Sequence, residues 1–216
     1  MTREYRVSNP RWGILGGIFD PIHCAHLAIA EQAREALDLE HVLFVPAGTP
    51  VHRAPARASA EDRARMVELA IAGNPAFILS RLEIDTDRPS YTVDTLKTMA
   101  AEAPDVELHL IVSAETVALM PTTWREPERI LDLARIAVVN RLGFADITPA
   151  WLAEHFPGRA GRFTMLETSR LAHSSSEIRA RIAAGKSIRY LVPEAVATYI
   201  GEHHLYAQGE HDRPAA

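Results

Sequence analysis

Short apolar runs alternate with longer amphipathic ones along nearly the whole chain, and this alternation constrains the fold more than any single residue does. Residues 12–15, 41–45, 77–84, 108–112, 136–139 and 163–166 read as strands. Several are apolar throughout, the pattern of strands buried on both faces. Residues 27–39, 60–73 and 90–103 carry apolar side chains at helical spacing, and 176–184 and 193–203 close the chain as a helical pair. Ser59 reads as the N-cap of the second helix, with Asp62 three residues on, and Ser90 as the N-cap of the third. Alternating β and α runs of these lengths predict an α/β fold with a doubly wound parallel sheet. Ligands of such sheets sit beyond the C-terminal strand ends, so the segments after Leu15, Val45, Ile84, Val112 and Val139 are where chemistry is expected.

Composition narrows the function. With 23 Lys and Arg against 28 Asp and Glu, the net charge is −5, too few cations for a nonspecific nucleic-acid coat. The single cysteine, Cys24, excludes an intrachain disulfide and a multi-thiolate zinc site. No run reaches the ~18 apolar residues of a membrane span, and the N-terminus lacks the apolar core of a secretory signal. The expectation is a cytoplasmic protein that uses neither membrane nor nucleic acid. Residues 1–206 read as one domain and 207–216 as a frayed polar tail.

The densest chemistry follows the first strand, in Gly16-Gly17-Ile18-Phe19-Asp20-Pro21-Ile22-His23-Cys24-Ala25-His26-Leu27. Two glycines at a tight turn admit a ligand close to the backbone. His23 and His26, three residues apart at a helix start, can face one pocket. Helix-start amides favour an anion, so a polyphosphate fits. Neither GxxxxGK with Ser or Thr nor GxGxxG occurs, which weakens the P-loop and dinucleotide readings. Ordinary helix-start polarity explains the histidines equally well when they are taken alone. A zinc site at His23, Cys24 and His26 lacks a partner cluster, so no protein metal site is expected.

The segment GGIFDPIHCAHL resembles the signature of the nucleotidyltransferase superfamily with the (H/T)xGH motif, and more closely that of bacterial nicotinate-nucleotide adenylyltransferases. The resemblance runs from about Trp12 to Leu205 and implies a Rossmann-like sheet of the nucleotidyltransferase type. It further implies that His23 and His26 are catalytic, contacting the triphosphate and stabilising charge at the α-phosphorus, with Gly17, Ile18 and Phe19 alongside ATP. Ala25 stands where glycine is usual, a source of strain if that position needs a positive φ.

Further segments extend the resemblance. Pro46-Ala47-Gly48-Thr49-Pro50-Val51-His52-Arg53 would place the Arg53 guanidinium near the phosphates. Arg63 to Ala70 matches a family helix assigned here mainly to packing. Pro89-Ser90-Tyr91-Thr92-Val93-Asp94-Thr95-Leu96 resembles the segment that holds the nicotinate carboxylate, which assigns Tyr91 and Thr92 to the mononucleotide. Trp124 matches the tryptophan that stacks on the pyridine ring, and the Arg125 backbone would add a second carboxylate contact. Ser174-Ser175-Ser176-Glu177-Ile178-Arg179 resembles the box that binds the β- and γ-phosphates, assigning Ser175, Ser176, Ile178 and Arg179 to ATP. The same residues also read as a capping box, Ser174 with Glu177. Arg141 would face the adenosine. After the 108–112 strand the family glycine and aspartate are replaced by Ser113 and Glu115, both still assigned to the mononucleotide.

The resemblance implies an enzyme that joins nicotinate mononucleotide to ATP, giving nicotinate adenine dinucleotide and pyrophosphate for NAD biosynthesis. Mg²⁺ is expected as the partner of ATP. The alternatives are an adenylyltransferase for nicotinamide mononucleotide, phosphopantetheine or FMN, and a nucleotide-binding sensor without turnover. A homo-oligomer is left open.

Overall fold

A computed structural model describes residues 9–50, 55–86, 88–139, 147–168 and 173–207. The elements in chain order are β1 (Arg11–Gly17), α1 (Cys24–Leu37), β2 (His41–Pro46), β3 (Thr49–Pro50), α2 (Ala60–Ile71), β4 (Phe77–Leu79), β5 (Pro89–Ser90), α3 (Thr92–Glu102), β6 (Glu107–Ser113), α4 (Ala114–Thr123), α5 (Pro127–Leu133), β7 (Ala134–Val139), α6 (Pro149–His155), a 3₁₀ turn (Ala160–Arg162), β8 (Phe163–Leu166), α7 (Ser175–Ala183) and α8 (Glu194–Glu202). Six strands form one parallel sheet in the order β4-β2-β1-β6-β7-β8. Chain order reverses between β1 and β6, the position where doubly wound sheets open a ligand crevice.

Successive residues of the central strands point into opposite cores, as the two-residue strand period requires. Leu15, Val42, Phe44, Ile111, Ala137 and Val139 pack on one face with side chains of α1, α2, α7 and α8. Ile14, Leu43, Val45, Leu110, Ile136 and Val138 pack on the other with α3 to α6. A strand covered on both sides has no polar face, which is why these runs are apolar throughout.

Several boundaries differ from the sequence-based expectations. The expected 77–84 strand ends at Leu79, because the Ile84 and Asp85 amides both turn back to the Arg81 carbonyl at 2.9 Å. Gly16 and Gly17 continue β1 rather than forming a turn, and neither has a positive φ. The left-handed residue is Phe19, φ 52°, just before a cis Asp20-Pro21 peptide. The first helix begins at Cys24, not residue 27, because His23 and His26 close its first turn. Ser59 does cap α2, its Oγ accepting the Asp62 amide at 3.0 Å. Ser90 does not cap α3; Tyr91 holds that position, and Ser90 belongs to a two-strand parallel patch of β3 with β5.

Helices α4, α5 and α6 carry no clear periodic signal. Helix α4 contains Pro121 and ends in two threonines, while α5 and α6 are seven residues long and each starts on a proline. Their helicity comes from burying Val117, Met120, Ile130, Leu131 and Leu152 against the sheet, a tertiary gain that outweighs local propensity. Residues of the expected tail from 208 onward lie outside the described residues.

Candidate active site

The candidate site is built from loops that leave the C-terminal ends of β1, β2 and β6 on both faces of the sheet. On the α1 face, Gly17 brings the backbone close to the following loop: a Cβ there would lie 3.1 Å from the Phe19 ring. Phe19 is buried and meets His26 edge-on, with ring centroids 5.0 Å apart. The His26 Nδ1 accepts the His23 amide at 3.3 Å, and the two residues form a capping box. The imidazoles stack with centroids 3.7 Å apart and planes 20° from parallel. With Nδ1 used as an acceptor, the ring proton of a neutral His26 resides on Nε2. The two histidines are thus brought side by side, as their spacing suggests. Ala25 is an ordinary buried helical residue without positive φ, so its Cβ carries no backbone strain.

Cys24 donates its amide to the Leu191 carbonyl at 2.9 Å, which ties the start of α1 to the turn before α8. Partial burial pushes its thiol pKa up, so it is a poor thiolate.

Helix α7 docks its first turn on the same loop. Ser174 caps the helix by accepting the Glu177 amide at 3.2 Å. Ser175 Oγ donates to the Pro21 carbonyl at 2.9 Å, and Arg179 Nη1 donates to the Asp20 carbonyl at 2.6 Å. Arg179 Nη2 reaches the exposed Ser176 hydroxyl at 3.3 Å. The box thus caps its helix and also holds the Asp20-Pro21 loop that precedes His23, with the Ser176 hydroxyl and Arg179 Nη2 on its exposed side. Ile178 is fully buried in the core, so its side chain anchors α7 and does not face solvent. Arg53 and Arg141 lie outside the described residues.

Four of the six residues that the resemblance assigns to the mononucleotide, Tyr91, Thr92, Trp124 and Arg125, gather on the opposite face. Ser90, Tyr91, Thr92, Trp124, Arg125 and Ile130 line one small pocket between the start of α3 and the α4–α5 junction. Thr92 is the first residue of α3, so the positive end of that helix faces the pocket. Trp124 is the C-cap of α4, and the Arg125 guanidinium lies over the Tyr91 ring at 5.0 Å. Arg125 also pairs with Asp94 at 3.5 Å.

Ser113 and Glu115 are not in this pocket lining. Ser113 caps α4, its Oγ accepting the Thr116 amide at 3.2 Å with φ −74°. Nothing in that backbone requires glycine, and serine replaces it as a capping residue. Glu115 is exposed in the first turn of α4.

Arg63, Asp20 and Glu83 hold the loops through polar contacts. Arg63, assigned to packing, is almost completely buried and donates to the carbonyls of Ile18 and Ala47, both at 2.7 Å. It joins the loop after β1 to the loop after β2. Burial pulls its pKa down and the nearby Asp20 charge opposes that shift. Asp20 is itself buried and accepts the Arg57 and Ala58 amides at 2.9 and 3.1 Å. Glu83 takes the Thr95 hydroxyl at 2.6 Å, and burial pushes its carboxyl pKa up against hydrogen bonds from Thr95 and Ser90. Ser90 in turn accepts the Gly48 amide at 3.2 Å. A Cβ at Gly48 would lie 2.0 Å from the Glu83 carbonyl oxygen, so only glycine allows that approach. Asp20 and Arg63 lie inside segments that carry the resemblance and Glu83 does not, but nothing local in the sequence shows the contacts that any of them makes.

No group of three or more His, Cys, Asp or Glu side chains among the described residues is arranged to hold a metal ion. No helix among them is long and apolar enough to cross a membrane.

Residues 14–181 match the cytidylyltransferase-like family model. A Herpetosiphon aurantiacus protein described as a probable nicotinate-nucleotide adenylyltransferase is 43% identical over 196 residues, covering 91% of this chain and 98% of that protein. A Roseiflexus protein of the same description is 49% identical over 195 residues, covering 90% and 96%. Among solved structures, the fold is similar to that of Plasmodium falciparum nicotinic acid mononucleotide adenylyltransferase complexed with NaAD, with a TM-score of 0.76 at 20% identity over 91% of this chain and 97% of that one. The same protein complexed with APC superposes with a TM-score of 0.74 at 19% identity and the same coverage.

Proposed function

The chain belongs to the nicotinate-nucleotide adenylyltransferase family within the cytidylyltransferase-like fold, and on that footing we propose that it joins nicotinate mononucleotide to ATP, releasing pyrophosphate. The observation that carries this reading is the docking of the first turn of α7 on the Asp20-Pro21 loop that leads into the His23–His26 stack, across the sheet from the Tyr91–Trp124 pocket. One half suits a polyphosphate and the other a flat acidic ring.

In the proposed reaction a 5′-phosphate oxygen of the mononucleotide attacks the α-phosphorus of ATP in line, and pyrophosphate leaves. The reaction needs no covalent enzyme intermediate, so catalysis rests on positioning and on charge stabilisation. His26 and His23 stabilise charge at the α-phosphoryl group. Ser175, Ser176 and Arg179 hold the β- and γ-phosphates, the guanidinium offering more than one oxygen contact. Gly17, Ile18 and Phe19 give ATP its backbone wall, with Arg53 and Arg141 as further cations. Trp124 stacks on the pyridine ring, while the Thr92 end of α3 and the Arg125 backbone take its carboxylate. Mg²⁺ bound with ATP would supply charge neutralisation at the phosphates. The Asp20 carboxylate already accepts the Arg57 and Ala58 amides and the Tyr206 hydroxyl, so ATP itself rather than a protein cage would hold the ion. We further propose that the enzyme works in the cytoplasm.

The test is pyrophosphate release with ATP and each of four acceptors: nicotinate mononucleotide, nicotinamide mononucleotide, phosphopantetheine and FMN. Release with nicotinate mononucleotide far above the others is expected. A preference for another acceptor reassigns the substrate, and ATP binding without release for any acceptor identifies a sensor.

A further inference from the structure

Asp20 is the point where four separate segments meet. It lies in the loop after β1, and its carboxylate accepts the Arg57 and Ala58 amides of the segment leading to α2. Arg179 of α7 donates to its carbonyl at 2.6 Å and stands 3.5 Å from its carboxylate. The fourth partner comes from the end of the described chain: the Tyr206 hydroxyl donates to Asp20 Oδ1 at 2.7 Å across 186 residues of sequence. Tyr206 is held for this contact in a left-handed backbone, φ 65°, after the Leu205 amide has returned to the Ile200 carbonyl at 3.0 Å. Leu205 and Tyr206 both pack against the α1-face core. Burial, followed by the Asp20 charge, pushes the phenol pKa up, so the group stays a donor.

We propose that Tyr206 is a positioning residue for the triphosphate half of the site, acting through Asp20 on Arg179 and on the loop that carries His23. The inference rests on reading that half as an ATP site. A buried carboxylate turns toward whatever donors remain when one is removed. With the phenol in place, Asp20 Oδ1 is shared between Tyr206 and Ala58, and Arg179 keeps Nη2 at Ser176, on the solvent side. Without it, the carboxylate draws the guanidinium inward and away from bound phosphate. The last turn of the domain, which carries no motif, thus sets the geometry of a loop near the N-terminus.

Tyr206→Phe removes only the hydroxyl. The matched control is Tyr199→Phe, which removes a phenol bonded to Asp62 at 2.9 Å on α2. Tyr206→Phe is expected to raise KM for ATP about tenfold, the scale of one lost hydrogen bond to a charged group. KM for nicotinate mononucleotide at saturating ATP should stay within twofold, and Tyr199→Phe should leave both constants unchanged. Asp20→Asn should weaken ATP as well, and adding Tyr206→Phe to it should change little further, the non-additivity of a shared path. Equal melting-temperature losses in the two Tyr→Phe variants, with KM for ATP unchanged in both, would overturn the proposal and leave Tyr206 a purely structural residue. If the unmodified chain releases no pyrophosphate with any acceptor, the enzymatic reading fails instead. Calorimetry with a non-hydrolysable ATP analogue then decides the Tyr206 claim by the same tenfold difference in Kd.

Discussion

His26 has two jobs in the structure, and they separate in a mutant. Its Nδ1 accepts the His23 amide and so closes the first turn of α1, while the rest of the ring stacks on His23 beside the loop that Arg179 and Ser175 hold. Replacing His26 with Ala should lower turnover ~10²-fold or more if it stabilises the transition state. The lost cap should cost about 1 kcal/mol of stability besides. Steady-state kinetics and a melting curve on one preparation read both; near-normal turnover with only the stability loss would leave His26 as a cap and nothing more. The residue pair was legible from its spacing and the flanking GGIFDP. Arg63 was not, because an arginine in an amphipathic helix normally faces water, and only the folded chain brings the Ile18 and Ala47 carbonyls to it. Arg63→Met should cost about 3 kcal/mol by leaving those buried carbonyls without their donor, measured by urea unfolding. A loss below 1 kcal/mol would show that water takes the arginine's place.

The elements that position the site differ in how far the sequence shows them. Long helices with apolar residues at regular spacing, such as α1, α2 and α3, were visible because their packing face is written in the period. Strand β4 is shorter than its sequence suggests, because residues 80–84 look β-like although the Arg81 carbonyl gathers the next turn. Helix α4 has no legible period, so the capping role of Ser113 is not visible in the sequence. The Ser113→Gly variant tests that role. Its φ of −74° suits any residue, and glycine is itself a tolerated N-cap, so the expected stability loss is only a few tenths of a kcal/mol. Because Ser113 is outside the Tyr91–Trp124 pocket lining, KM for nicotinate mononucleotide should change less than twofold. A tenfold change would place Ser113 in contact with the substrate after all.

At the scale of the molecule, charge is divided between the two ends of the sheet. The chain is acidic by 5 charges, yet the end beyond β1 gathers Arg63, Arg179 and two histidines at loops and helix starts. The opposite end holds a buried His109 whose Nε2 meets Glu107 at 2.8 Å, with Arg11 and Arg135 also facing the pair. Burial lowers the His109 pKa below 6.5, more than the Glu107 contact raises it, so the pair is a hydrogen bond from neutral imidazole at pH 7. Glu107 is partly buried too, but the His109 contact and the arginine charges bring its pKa below 4.5. Both shifts are downward, so the stability they confer is complete above pH 6.5 and falls as pH drops, first through His109 and then through Glu107. Melting temperature should therefore decline from pH 7 toward 5, and His109→Leu should flatten that decline; an unchanged slope would assign it to other groups. The sequence by itself determined the α/β class and where most strands lie along the chain, and its local motifs singled out the candidate phosphate and pyridine segments. Those properties follow from period, turn chemistry and local residue pattern, which act over a few residues. Only the tertiary structure decided which polar groups lock the segments together: Arg63 between two loops, Glu83 beneath Ser90, and Tyr206 on Asp20. A buried charge has no local signature, because its partners are chosen by which distant backbone atoms are left unsatisfied once the sheet has formed.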